Sequence, residues 1–169
     1  MVHSVELVFD PDTEAVVRGI WDTLRDKDIP GQAPASRPHA TLIVAQHIDA
    51  AADAVLTELV DRFPLSCHLG ATLIFGRSAG VLARLLVPTD ELLKVQADVY
   101  RLCLPFMDPA PMPHAEPGNW TPHVTLARRV APARLATAVR VAGRPAEIVG
   151  QVTGLRHWDG DKRLEHPIG

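Results

Sequence analysis

Apolar and polar positions alternate, or recur at helical spacing, along most of the chain, and they predict the order β-α-β-α-β-β-α-β-α-β-β. Val5-Glu-Leu-Val-Phe9 reads as a strand, and Asp10-Pro11-Asp12 then opens a helix to about Lys27 with Val16, Val17, Ile20 and Leu24 on one face. Residues 28–38 read as a loop and Thr41–Ala45 as an apolar strand. Asp49 caps a second helix, in which Val55, Leu56, Leu59, Val60 and Phe63 recur at helical spacing. Two strands follow, about Ser66–Phe75 and Val81–Val87, with Gly76-Arg-Ser-Ala-Gly80 as a hairpin connection. Thr89 caps a third helix, with Asp90 and Glu91 in its first turn and a core face of Leu92, Leu93, Gln96, Val99 and Cys103. Residues 105–122 hold six of the fifteen prolines and read as a long irregular loop, which in a compact domain usually carries function. A strand from about His123 to Arg128 comes next, and Pro132 opens a fourth helix. A last pair of strands, about Ala146–His157 and Lys162–His166, turns at Asp159-Gly160. This is an α+β pattern in which each half supplies helices and strands.

At 169 residues, with 47% hydrophobic and 22% charged positions, the chain suits one domain that buries its own core. Its two cysteines, Cys67 and Cys103, make no disulfide framework and suit a reducing compartment. Met1-Val-His-Ser-Val-Glu6 lacks the pattern of a signal peptide, and no apolar run approaches the ~18 residues of a membrane span. A soluble, cytoplasmic protein is expected. The net charge of −3 argues against a general DNA binder, yet it is unevenly spread: −7 over residues 1–120 and +4 over 121–169. That split leaves room for a local anion site in an acidic protein.

The chemistry lies in a repeat. Pro38-His39-Ala40-Thr41-Leu42 recurs as Pro122-His123-Val124-Thr125-Leu126, each copy after a proline-rich loop, at the head of an apolar strand and ahead of a helix. Residues i and i+2 of a strand share a face, so His39 sits with Thr41 and His123 with Thr125, while Ala40, Leu42, Val124 and Leu126 point into the core. Brought together, the two strands line one cleft with two imidazoles and two hydroxyls. Imidazole exchanges protons near neutral pH, and hydroxyls donate to phosphoryl oxygens. One histidine removing a proton and one giving a proton suits cleavage of a phosphodiester without a metal.

With these residues the chain resembles the 2H phosphoesterase superfamily, the group of bacterial 2′-5′ RNA ligase-like proteins and RNA 2′,3′-cyclic phosphodiesterases, named for two His-x-Thr/Ser-x motifs. Arg37-Pro-His-Ala-Thr-Leu42 and Thr121-Pro-His-Val-Thr-Leu-Ala-Arg128 carry the likeness, supported by the stretches from Phe63 through Phe75-Gly-Arg77 and from Pro88 to Leu93. The resemblance implies a single bilobal domain over residues 1–169, with two pseudo-symmetric lobes, each with an antiparallel sheet and helices, and the active cleft between them. It implies catalytic His39 and His123, with His123 as base and His39 as acid, and phosphate-binding Thr41 and Thr125. Arg128 stands where relatives carry a phosphate-contacting basic residue, although strict alternation turns it away from the His123 face. The implied substrate is a nucleotide or RNA end bearing a 2′,3′-cyclic phosphate, opened to a 2′-phosphate, with reversible 2′-5′ ligation in some members. No cofactor, metal, membrane or protein partner is implied, and a monomer is expected.

Trp120, just before the second motif, is a candidate for stacking on a base or for packing its loop. His3, His47, His68, His114, His157 and His166 show no metal-ligand spacing and read as structural or surface residues, His114 lying nearest the second motif along the chain. No Gly-rich phosphate loop, Cys-x-x-Cys pair or Gly-x-Ser-x-Gly elbow is present. Two rival readings remain at this stage: a nucleotide- or RNA-end-binding protein with little turnover, and a metallohydrolase using the histidines as ligands. Against the second stands the lack of a carboxylate beside either motif, Glu116 being the nearest to the second copy.

Overall fold

The computed structural model describes residues 1–76 and 79–169. The strands are β1 (His3–Phe9), β2 (His39–Ala45), β3 (His47–Ile48), β4 (Leu65–Phe75), β5 (Gly80–Leu86), β6 (Met107–Asp108), β7 (His123–Val130), β8 (Ile148–Asp159) and β9 (Leu164–Ile168). The helices are α1 (Pro11–Arg25), α2 (Ala52–Leu56), α3 (Asp90–Cys103) and α4 (Leu135–Ala142). Among the described residues no helix is long and apolar enough to cross a membrane.

Seven strands form one antiparallel sheet in the order β1-β2-β7-β5-β4-β8-β9, and β1 also pairs with β8. The chain thus forms two strand groups, β1-β2-β8-β9 and β7-β5-β4, that meet at two seams. One is the β4–β8 ladder; the other is a single bridge between β2 and β7, Ala40 opposite Val124. This α+β arrangement, with four helices on a large antiparallel sheet, is the fold class the residue pattern implies. The helices cross between the groups: α1 packs on β7, β8 and α4, whereas α3 packs on β2 and α2.

Local chemistry sets the elements. Asp10 caps α1 by accepting from the Thr13 amide at 3.0 Å and the Thr13 hydroxyl at 2.7 Å. It also accepts from the Gln151 amide at 2.6 Å, which ties the helix start to β8. That closeness requires Gly150, where a Cβ would stand 1.8 Å from Thr13 Oγ1. Thr89 caps α3 as expected, by accepting from the Leu92 amide.

Several expectations shift. Asp49 accepts from the Ala51 amide rather than capping α2, whose N-cap Ala51 has no side-chain bond. The helix lasts five residues before tightening into a 3₁₀ segment, Thr57–Arg62. On α3 the buried stripe is Leu92, Val95, Gln96, Val99 and Cys103; Leu93 lies off it and is exposed, because the stripe follows i, i+3, i+4, i+7 from Leu92. On α1 Val16 is likewise exposed, and Trp21 takes the core position. The proline-rich loop begins with a 3₁₀ turn, Leu104–Phe106, and with β6, which pairs with β3. Pro132 opens a 3₁₀ turn, with α4 starting at Leu135. The last turn occupies residues 160–163, so β9 starts two residues later than the alternation suggests. The expected Gly76–Gly80 hairpin connection falls partly on residues 77 and 78, outside the described residues.

Inside β5 lies a fully buried Arg84. Its guanidinium donates to the carbonyls of Gly70 (2.6 Å), Leu69 (3.0 Å), Ala142 (2.7 Å), Pro145 (2.9 Å) and Ala146 (2.8 Å). Leu69 and Gly70 lie where the β4–β5 register shifts, and Ala142 ends α4, so one cation satisfies a bulge and a helix C-terminus together.

Candidate active site

The single β2–β7 bridge fixes the relation of the two motifs. With Ala40 opposite Val124 in antiparallel strands, His39 lies across from Thr125 and Thr41 across from His123. A local two-fold therefore passes between Ala40 and Val124.

The same symmetry orients the rings. His39 Nδ1 lies 2.7 Å from the Arg37 carbonyl, and His123 Nδ1 lies 2.7 Å from the Thr121 carbonyl, each two residues upstream. A carbonyl only accepts, so each Nδ1 carries the hydrogen and each Nε2 is left to exchange protons. The Arg156 Nη2 found 3.4 Å from His39 Nδ1 is then a neighbouring cation rather than a hydrogen-bond donor to it, since both nitrogens carry hydrogens. The main chain behind each threonine is held symmetrically too. Trp120 Nε1 donates to the Thr41 carbonyl at 3.0 Å and Trp21 Nε1 to the Thr125 carbonyl at 3.2 Å.

Both strands bulge at the leucine of the repeat. Val5 and Glu6 pair with Ile43 and Thr41, skipping Leu42; Ala83 and Leu82 pair with Thr125 and Ala127, skipping Leu126. A bulge adds one residue and so reverses the later alternation. Leu42 with Ile43, and Leu126 with Ala127, are consecutive buried pairs. The next residues, Val44 and Arg128, return to the cleft face. Arg128 accordingly lines the cleft with His123, against the strict alternation that turned it away.

The cleft, about 1110 Å³, is lined by His39, Thr41, His123 and Arg128 among the residues the sequence singles out. Thr125 is half-buried and Trp120 stands aside from this wall. Trp120 lines an adjoining cavity of about 420 Å³ with Phe75, His114 and Thr121, and Thr41, Val44 and His123 border both spaces. Five arginines (Arg18, Arg37, Arg128, Arg156 and Arg163) face three glutamates (Glu6, Glu14 and Glu165) across the larger cleft, so it is locally positive in a chain of net charge −3.

Glu6 and Arg156, which the sequence reading did not single out, stand beside His39. Buried Glu6 accepts from Arg156 Nε at 2.8 Å and Nη2 at 2.7 Å through one oxygen, and from Ser4 Oγ at 2.6 Å through the other. That second oxygen stands 3.6 Å from His39 Nε2, a contact a protonated ring makes as an ion pair. Arg156 also pairs with Glu165, and Arg37 with Glu14 at 2.6 Å. A lone charge within each of two otherwise largely apolar strand stretches, Glu6 in β1 and Arg156 in β8, was the signal available in the sequence.

The two imidazoles differ in surroundings. His123 packs against Phe75, ring centroids 4.7 Å apart. Burial pushes its pKa below the usual histidine value; the Thr121 carbonyl opposes this, and the positive charges of Arg128 and His39 add to the lowering.

The sequence profile of the 2′-5′ RNA ligase superfamily matches residues 11–163, and the chain belongs to this superfamily of 2H phosphoesterases. Its fold matches that of LigT from Escherichia coli (14% identity, 99% of this chain and 94% of that one, TM-score 0.63). It also matches TT0787 of Thermus thermophilus (16%, 100% and 96%, TM-score 0.62) and Usb1 of Kluyveromyces marxianus (10%, 98% and 97%, TM-score 0.53). LigT is also known in complex with 3′-AMP and Usb1 with uridine monophosphate. No curated protein matches the chain in sequence.

Proposed function

We propose that this phosphodiesterase-family chain opens 2′,3′-cyclic phosphates of nucleotides or RNA ends to 2′-phosphates, without a metal, and that a 5′-hydroxyl attacking in place of water makes 2′-5′ linkages, a step that runs in both directions. The reading rests above all on the paired Nδ1–carbonyl hydrogen bonds, which aim two matched Nε2 atoms from symmetry-related strands. The nucleotide complexes of LigT and Usb1 support a nucleotide substrate.

In this mechanism neutral His123 takes a proton from water as the oxygen attacks phosphorus. Protonated His39, beside Glu6, gives its Nε2 proton to the departing 3′-oxygen as the P–O3′ bond breaks. The hydroxyls of Thr41 and Thr125 donate to the non-bridging oxygens, and Arg128 balances their charge. The base occupies the cavity between Phe75 and Trp120. Turnover on a panel of cyclic nucleotides, cyclic-phosphate RNA ends and 2′-5′ dinucleotides tests the reading; tight binding with no product would leave only a binding protein.

Thr41→Val and Thr125→Val are expected to keep the fold, since valine matches threonine in shape and strand preference. Each removes a donor to a charged transition state, at a cost of about 2–4 kcal/mol, which steady-state kinetics reads directly. Wild-type kinetics in both variants would reduce these threonines to strand formers. Dialysis against EDTA is expected to leave turnover intact, because His39 and His123 act here as proton carriers. Loss of activity at a temperature where the chelated protein is still folded, restored by a divalent ion, would overturn the histidine-only chemistry.

A further inference from the structure

On the opposite face of the sheet four histidines that look unrelated in sequence come together. Ser4 and Glu6 of β1, and Arg156 and Trp158 of β8, face the cleft. By alternation His3, His157 and Asp159 face away from it. His3, 3% exposed, stacks edge-on with His47 of β3, ring centroids 4.8 Å apart, and lies 5.5 Å from His157, which is itself 5.7 Å from His166.

Hydrogen-bond directions within this cluster lead to one position. His157 Nδ1 lies 2.8 Å from Asp53 Oδ1, so it carries a hydrogen and donates. His157 Nε2 lies 3.3 Å from His3 Nδ1, and the two nitrogens share one hydrogen. His3 presents its other ring nitrogen, Nε2, on the far side of this contact. That atom faces two carboxylates, Asp161 Oδ2 at 3.3 Å and Asp159 Oδ1 at 3.4 Å. Asp159 Oδ1 also accepts from the amides of Asp161 and Lys162, and the N-terminal ammonium pairs with the other oxygen of Asp161, so either a proton on His3 Nε2 or a bound cation completes the balance at this point.

We infer that this point is a site for a first-row divalent cation, zinc by ligand type, held by His3 Nε2, His47 and Asp161. Their ligand atoms lie within 4.8 Å of one another, and among the described residues this trio alone meets that condition. Two imidazoles and a carboxylate, with the fourth position open to water, are a zinc ligand set. The separation of 3.3 Å between His3 Nε2 and Asp161 Oδ2 suits two ligands about 2.0–2.1 Å from one ion. The chain Asp53–His157–His3 supplies the outer support, in which a ligating histidine donates its other N–H to a partner that is itself held. His47 and Asp161 are exposed and leave an entry path. The ion ties β1 to β3 and to the β8–β9 turn, so its role is structural and separate from the cleft chemistry.

The test is titration of the tag-free full-length chain with ZnCl₂ by calorimetry, and with CoCl₂ by absorbance. One equivalent is expected to bind, with the cobalt spectrum of a four-coordinate site, and the melting temperature is expected to rise. His47→Ala and Asp161→Ala change exposed side chains and should weaken binding by at least ~100-fold, and Asp53→Asn by ~10–100-fold through the outer support. His39→Ala and His123→Ala should bind as wild type. Absence of stoichiometric binding, wild-type affinity in His47→Ala, or loss of binding in His39→Ala would each overturn the site. His3→Ala is left out of the test because its burial puts folding itself at risk.

Discussion

Replacing either motif histidine with alanine is expected to cost roughly 10²–10⁴ in turnover, and replacing both is expected to cost little more than the worse single change. Attack on phosphorus and departure of the 3′-oxygen occur in one displacement, so a base without its acid stalls as surely as an acid without its base. The structure supplies the reason to expect a unit. Both rings are pinned through Nδ1 to carbonyls two residues upstream, both present Nε2, and both border one cleft. Single-turnover kinetics on a cyclic-phosphate substrate measures these losses. Losses that multiply across the double variant would mean independent roles.

Arg84→Met is expected to destabilise the fold by about 3–5 kcal/mol, the range for removing one partner of a buried charged network. Methionine fills the space but takes the guanidinium donor from five carbonyls, of which the contacts to Leu69 and Ala142 are fully buried. Two of these belong to the register shift in β4 and one to the C-terminus of α4, so the seam between strand and helix loosens as a whole. Arg84→Lys should recover only part, because one ammonium cannot reach carbonyls that the guanidinium spans. At about 2–4 °C per kcal/mol for a chain of this size, the methionine variant should melt roughly 10 °C lower. Calorimetry checks it, and a shift under about 2 °C would show that neighbouring groups or water replace the guanidinium.

The motif strands were legible because a period of two is a local property. His39 with Thr41, and His123 with Thr125, needed only the chain itself to be placed on one face. The bulges at Leu42 and Leu126 were not, since a bulge is defined by the partner strand's register, and Val5–Glu6 and Leu82–Ala83 set it from far along the chain. Arg128 turns on that point: its place in the cleft follows from a skipped leucine, not from its own neighbours. Arg84 did leave a trace, a lone charge within an apolar strand, but its five acceptors belong to β4 and to the segment 142–146. Apolar spacing extends the second helix too far, because spacing alone does not distinguish an α-helix from the 3₁₀ segment after Leu56. Spacing rules for metal ligands see neighbours in sequence, and His3 and Asp161 stand 158 residues apart.

The pH dependence of kcat/KM tests the acid–base pair most directly. Activity needs His123 neutral and His39 protonated. Burial, with the charges of Arg128 and His39, holds His123 below the usual histidine value near 6.5 and so keeps it unprotonated. The rate of the free enzyme should therefore fall on the acid side only as pH drops through a value below 6.5, and fall again on the basic side, where no general acid remains to protonate the leaving oxygen. In kcat the acid limb should move upward, because the bound phosphate anion favours imidazolium. His123→Ala should flatten the acid limb of the residual rate, and His39→Ala the basic limb. A bell of this form with those two losses is the predicted result; a flat wild-type profile, with chemistry shown to be rate-limiting, would contradict it.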